Sequence, residues 1–434
     1  MAASPALPVA LPGAGSSIYR SLFQQSPSGK RQKKMITLRS STFLGALLGA
    51  SLSTASAISP RGGKKNNDCT AVDFPISATA DNFVFTNPPD PDNTTQILQF
   101  LSDAISPTGT AISGTQPVSG AFTIHGVYCK PTKKVKKHAD TLQLLVHGVS
   151  YNSTMWSGYG FGDDDGDQYN WHAHFNALGY ATLAIDRLGH GLSSRPDPLT
   201  VVQTPMHVEV LHNLITTLKT IPNKDKNPLK RTYNSIIYVG HSFGSQLGSQ
   251  LLRLHPQDAK AAVLTGYSTF INFTVVTTTF QWEPATLHSP SRFPSVPLGY
   301  VTIATEASRT GGFYGSVGTY DPAVAAYDFA HEDILTDGEM GSYLFLAQPA
   351  AGYDAGPVMV VTGTEDGIFC PHPAAGGNST CEGVLAGTRT TAFPDLEEGK
   401  FGYYAPRDTG HDLTLHYSAG RVFGEVAGWL EGVL

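Results

Sequence analysis

The tightest constraint in this chain is a repeated local pattern, a short unbroken apolar run that stops at a glycine. It occurs in DTLQLLVHG (140–148), GYATLAIDRLGHG (179–191), NSIIYVG (234–240), AKAAVLTG (259–266) and GPVMVVTG (356–363). A strand with one wet face alternates apolar and polar residues. A run that stays apolar is covered on both faces. Helical patterns stand between these runs: DQYNWHAHFNALG, closed by Gly179; the segment 200–221, with Val208, Leu211, Ile215 and Leu218 at helical spacing; and SFGSQLGSQLLRLHP, stopped by Pro256. AGRVFGEVAGWLEGVL predicts a terminal amphipathic helix. Alternation of this kind predicts an α/β fold, a mostly parallel, doubly wound sheet with helices on both faces. Upstream, SGAFTIHGVYCKPT reads as one more strand and DNFVFTNPPDPDN as a short strand broken by prolines.

The alternation fails between Tyr267 and Gly356, a stretch rich in Thr, Ser, Gly and aromatics. Connections that long usually build something. The expectation is a cap inserted after strand six, over the carboxyl ends of the strands, where such sheets bind ligands. The chain then divides into a leader (1–57), an N-terminal extension with the first strand (58–119), a core (120–266 and 357–434) and a cap or lid (267–356).

Gly240-His241-Ser242-Phe243-Gly244 carries the chemistry. A strand that turns at once into a helix strains the turn residue, and glycines on both sides leave room for that. The serine hydroxyl is then pushed out above the sheet, where a helix N-terminus favours developing negative charge. The plainer alternative is a serine that merely caps the helix.

The elbow GHSFG, the LLVHGVS segment and AIDRLGHGLSSRPD stand in the order of the α/β-hydrolase family, and the chain resembles its serine-nucleophile branch with an inserted cap over about residues 120–434. The resemblance implies a secreted esterase- or lipase-like enzyme with Ser242 as nucleophile, Asp366 as acid and His411 as base, in the family's chain order. Asp366 follows the strand after the cap. The other acid position of this fold, after strand six, reads LTGYSTFINF and holds no carboxylate. Glu365 is then the solvated neighbour, and His416 falls within the expected last helix. The oxyanion hole would use the backbone N–H groups of Val149 and Phe243. His147 would brace its loop, Asp186 and Arg187 would hold the loop beneath the site, and His241 would serve packing.

The rest of the chain sets bounds on function. With 434 residues, 41% hydrophobic and a formal net charge of −6, the composition is globular and offers no dense basic face for nucleic acid. The run Lys133, Lys134, Lys136 and Lys137 reads as a solvated hairpin. MITLRSSTFLGALLGASLSTASA (35–57) has a basic start, a short apolar middle and Ala55-Ser56-Ala57 at its end, which predicts a signal peptide with Met35 as the favoured start. Secretion fits the even cysteine count, with pairings Cys69–Cys129 and Cys370–Cys381 expected, and the sequons at Asn93, Asn152, Asn272 and Asn378. No stable membrane anchor is expected.

The partner expected is a small-molecule ester, with no cofactor and no metal. Asp163, Asp165 and Asp167 alternate like a calcium loop but lack the closing acid. His172 and His174 do not face each other on a helix. Serine at the elbow opposes an epoxide hydrolase or dehalogenase, which need aspartate there. A proline-type aminopeptidase or lactonase, or a non-catalytic binding module, stays open. An aminopeptidase would need an acidic anchor such as Glu283, Glu306, Glu332 or Asp333. Phe270, Phe273, Phe280, Trp282, Phe293, Phe313 and Tyr314 suggest an apolar pocket under the cap.

Overall fold

In the computed structural model, which describes residues 69–161, 167–220, 225–371 and 380–434, the chain opens with two long antiparallel strands. These are β1 (Cys69–Phe85) and β2 (Ile112–Cys129), with helix α1 (Thr94–Ala104) between them. β1 buries Phe74, Ile76, Ala78 and Ala80 and exposes the residues between. It stops ahead of Pro88-Pro89, since proline has no N–H for the ladder. The strand therefore reaches far upstream of the short segment expected. Its apolar residues alternate with Thr, Ser and Asp, so no continuous run announces it.

The alternating core follows as β3 (Thr141–Val146), α2 (Trp171–Ala177), β4 (Ala181–Ile185), α3 (Thr204–Thr220), β5 (Ser235–His241), α4 (Phe243–Leu254) and β6 (Ala261–Thr265). Every residue of β3, β4 and β6 is buried, as continuous apolar runs require. The long insertion then contributes α5 (Phe273–Thr279), β7 (Trp282–Pro284), α6 (Ala285–His288), β8 (Tyr300–Ile303), α7 (Glu306–Phe313), α8 (Pro322–Ala330), β9 (Leu335–Thr336) and α9 (Asp337–Gly341). The chain returns to the core through β10 (Val358–Val361), α10 (Cys381–Ala392), β11 (Phe401–Tyr404) and α11 (Ala419–Val433).

Among the described residues the main sheet has eight strands in the order β1-β2-β4-β3-β5-β6-β10-β11. β2 is antiparallel to both its neighbours, and the rest run parallel. From β3 the chain passes to β4 on one side and β5 on the other. That reversal opens a crevice between the loops leaving β3 and β5. The inserted strands form a separate sheet in the order β7-β8-β9, over its own small apolar cluster of Ala285, Phe293, Tyr300 and Ile334.

Two expectations need correction. The basic run is no hairpin, because β2 pairs with β4 and not with β3. It forms a crossing with one 3-10 turn, Lys136–His138, and Lys137 pairs with Glu431 of α11. His416 stands ahead of α11, not inside it. Sulfur bridges join Cys69 to Cys129, at the open end of the β1–β2 pair, and Cys370 to Cys381. The expected signal peptide and Asn378 lie outside the described residues, as do Asp163 and Asp165. No helix among the described residues is long and apolar enough to cross a membrane.

Candidate active site

β5 ends at His241 and α4 begins at Phe243, so Ser242 alone reverses the chain. It does so at φ 54° and ψ −120°, a conformation a non-glycine residue holds only when its surroundings impose it. The Ser242 N–H donates to Thr265 O at 2.8 Å, and Ser242 O accepts from the N–H of Ser245 at 2.8 Å. The flanking glycine is a matter of space, since a Cβ on Gly240 would stand 2.6 Å from the Ser245 backbone. The Ser242 side chain makes no capping hydrogen bond, so the plain helix-cap reading fails.

Asp366 lies beyond β10, fully buried. Its Oδ1 accepts the N–H groups of Ile368 and Phe369, each at 2.9 Å, and its Oδ2 accepts from His411 Nδ1 at 2.8 Å. Because the carboxylate only accepts, the His411 proton sits on Nδ1 and Nε2 presents a lone pair. Nε2 is buried and has no partner among the described residues. No hydrogen bond joins it to Ser242 Oγ in this state. The two share neighbours: the His241 ring lies 4.9 Å from that of His411, and Phe313 and Phe369, which flank His411, share a cleft wall with Ser242. Hydrogen bonds at such sites often tighten only with substrate bound.

Burial by itself would lower the pKa of His411. The Asp366 carboxylate and its hydrogen bond, with Asp412 behind them, outweigh burial and raise it above 6.5. Glu365 turns away and accepts the N–H of Ser316 at 2.5 Å. His416 accepts the N–H groups of Gly315 and Gly410, each at 3.0 Å, which holds the turn carrying His411 against the insertion.

The loop after β3 delivers Val149 to the same cleft. Neither the Val149 nor the Phe243 N–H has a hydrogen-bond partner among the described residues. His147 braces this loop. Its Nδ1–H donates to Gly148 O at 2.7 Å, and its Nε2 accepts from the Arg187 N–H at 2.9 Å. Burial, then Arg187, holds its pKa well below 6.5, so the ring is neutral. Arg187 donates to the carbonyls of His147 (3.1 Å) and Gly148 (3.2 Å) and pairs with Glu339 of the insertion. Asp186 accepts the N–H groups of Ser153 and Leu192, each at 2.8 Å. On the far side Ser150, at φ 56°, is tied to Asp333, Ile334 and Arg309.

No charged side chain lines the cleft. Val149, Ser242 and Phe243 meet Phe273, Phe280, Trp282 and Phe313 there, with Ile368 and Phe369 opposite. Phe270 and Tyr314 are not in its wall, and Phe293 belongs to the small cluster of the insertion.

A model of the alpha/beta hydrolase family matches residues 143–423, a range that includes Val149, Ser242, Asp366 and His411. The chain belongs to this family. No curated protein matches this hydrolase in sequence. Among solved structures it is similar to a soluble variant of the monoglyceride lipase of Saccharomyces cerevisiae (14% identity, TM-score 0.46, covering 72% of this chain and 92% of that one). It is also similar to Rv0554 of Mycobacterium tuberculosis (16%, 0.45, 74% and 96%) and to epoxide hydrolase VrEH1 of Vigna radiata (16%, 0.45, 72% and 95%).

Among the described residues three side-chain clusters are of metal-binding type, and neither of the two remote from His411 fits an ion. His190 and His207 converge on Glu339, but the Arg187 guanidinium already occupies that carboxylate and sits 3.3 Å from His207 Nε2. His212 and His255 stack at 3.7 Å with planes 12° apart, so their in-plane lone pairs do not converge on one point. Each also spends a nitrogen on a carboxylate, Asp258 or Glu209. His172 bonds Thr182 Oγ1 at 2.7 Å. Sequence reasoning missed Arg309, Asp328 and Asp412. Asp412 was legible as the residue after His411, whereas Arg309 and Asp328 stand in a segment without strand or helix signal.

Proposed function

We propose that this α/β hydrolase is an exported serine esterase that cleaves a neutral, apolar carboxylic ester through an acyl-enzyme. The observation that carries the reading is Ser242, held at a strained φ of 54° on the wall of an apolar cleft whose Phe313 and Phe369 also flank His411, itself bonded to Asp366. His411 Nε2 takes the Ser242 proton as the hydroxyl oxygen attacks the acyl carbonyl. The Val149 and Phe243 N–H groups receive the oxyanion. The imidazolium, held by Asp366, returns its proton to the leaving alcohol. Water then repeats the sequence on the acyl-enzyme and frees the acid.

The uncharged wall supports an apolar ester over an amine-bearing peptide. None of Glu283, Glu306, Glu332 and Asp333 reaches the cleft. Glu332 pairs with Arg309, and Asp333 accepts from Asn152 Nδ2 at 2.9 Å. A serine at the elbow also opposes the epoxide chemistry named for the Vigna radiata protein. Export is supported by the leader pattern and both cysteine pairs. Asn93 and Asn272 cap helices through Oδ1 and leave Nδ2 for a glycan, whereas Asn152 commits its Nδ2 to Asp333.

The test is labelling of the secreted mature chain with a fluorophosphonate, beside a series of p-nitrophenyl esters of rising acyl length. Wild type should label and turn over the longer esters best, and Ser242→Ala should do neither. Labelling that survives Ser242→Ala sinks the assignment.

A further inference from the structure

His411 has a second carboxylate at its side. Asp412 is fully buried, and ring nitrogens of His241 and His411 and an oxygen of Asp412 all lie within 4.8 Å of one another. Asp412 Oδ1 accepts from His241 Nε2 at 3.1 Å, and Oδ2 pairs with the Tyr151 hydroxyl. That hydroxyl also stands 3.1 Å from Asp328 Oδ2 in α8, so one proton is shared between two buried carboxylates. The Arg309 guanidinium of α7 offsets their charge. It donates to both oxygens of Asp328, at 2.7 and 2.9 Å, and lies 4.3 Å above the Tyr151 ring. Tyr159 and Tyr314 donate to Asp328 as well. The series Arg309, Asp328, Tyr151, Asp412, His241 thus leads from the insertion to the ring beside the base.

Burying this many polar groups is costly unless each is satisfied, and a merely structural anchor would not have to end against His411. During acyl transfer His411 becomes an imidazolium. A carboxylate within about 4–6 Å favours that charged form. Asp366 supplies this through a direct hydrogen bond, and Asp412 stands where it supplies it through space. We propose that Asp412, fixed by His241 and Tyr151, is a positioning residue that supports the charge His411 acquires, and that Tyr151 ties it to the Arg309–Asp328 pair of the insertion. The proposal rests on the serine-esterase reading and adds to it a second acid outside the triad.

The charged and titratable groups around this pair are few. Asp366 and His241 face His411. Tyr151, Tyr159, His241, Arg309 and Tyr314 surround Asp412, Asp328 faces it across the Tyr151 hydroxyl, and the His416 Nδ1–H donates to the Asp412 carbonyl at 2.7 Å. Burial works against the charge on Asp412, but the His241 hydrogen bond, with His411 and Arg309 nearby, holds its pKa below the usual carboxylate value. Burial lowers the pKa values of His241 and His416, which leaves both neutral. Asp412 is therefore the charge to remove.

The experiment follows the His411 imidazole by proton NMR titration and, in parallel, the pH profile of fluorophosphonate labelling, in wild type, Asp412→Asn and Tyr151→Phe. Asp412→Asn keeps the shape and removes the charge. The His411 pKa and the acid limb of labelling should both move down by about one pH unit. Tyr151→Phe leaves the Asp412 charge without one donor, so both should move up. Limbs that stay in place while the rate falls would show a structural role only and overturn the proposal. Should Asp412→Asn fail to fold, the direction found for Tyr151→Phe decides alone. Absence of labelling in wild type would fault the esterase reading, and the NMR titration still reports on Asp412.

Discussion

At the scale of single residues, the site works by denying freedom. Ser242 keeps a positive φ that costs about 1–3 kcal/mol, and the Thr265 and Ser245 hydrogen bonds hold it there. His411 has one acceptor for its Nδ1–H and so one tautomer. The pH dependence follows from that couple. The imidazole must be neutral to take a proton, and its pKa is raised above 6.5. Esterase kcat/KM should therefore be lost at acid pH, rise with pH, and reach half its plateau at a pH above 6.5. A half-point at or below that value in a kcat/KM profile would mean that Asp366 does not govern the base.

Among elements, the loop after β10 is the most exposed to change. Asp366 O accepts the N–H of Cys370 at 3.0 Å, and Cys370 is bridged to Cys381 at the start of α10. The bridge closes a short loop, with a sequence separation of 11, directly behind the candidate acid. Mild reduction should lower activity before the molecule unfolds, because the acid loses its backing while the parallel core is untouched. Activity and circular dichroism followed together against reductant concentration check this. Loss of both at one concentration would place the bridge in the global fold. The Cys69–Cys129 bridge, far from the acid along the chain, should matter to stability only.

For the whole molecule, the insertion and the core share buried charge as well as apolar surface. Arg309 is wholly buried and meets Asp328, Glu332 and Ser150. Removing one partner of a buried ion pair leaves the other uncompensated, at a cost of roughly 3–5 kcal/mol. Arg309→Met should therefore cut stability by about that amount in denaturant unfolding. It should also weaken catalysis, since the same guanidinium holds the loop of Val149 through Ser150. A variant as stable as wild type would show that the insertion docks by apolar contact alone. Glu339 gives a second such link. Burial opposes its charge, yet Arg187 and His190 hold its pKa well below the usual range.

What the linear chain determined was the parallel core; Ser242 stood out at its elbow, and Asp366 and His411 were candidates through the resemblance to the family. Short continuous apolar runs that alternate with helical patterns point to strands covered on both faces, whereas the strand order, with its reversal at β3, came only from the tertiary structure. β1 upstream of residue 81 carries the alternation of a half-wet strand in Phe74, Ile76, Ala78 and Ala80, weakened by Pro75 and the small alanines, whereas the crossing at Lys133–Lys137 was hidden because strand neighbours are set by pairing across the sheet. The Arg309–Asp328–Tyr151–Asp412 series was equally hidden. Its members are separated by up to 261 positions, and each is ordinary alone. Burial brings them together, and only in a dry interior does an unpaired charge cost enough to make their arrangement obligatory.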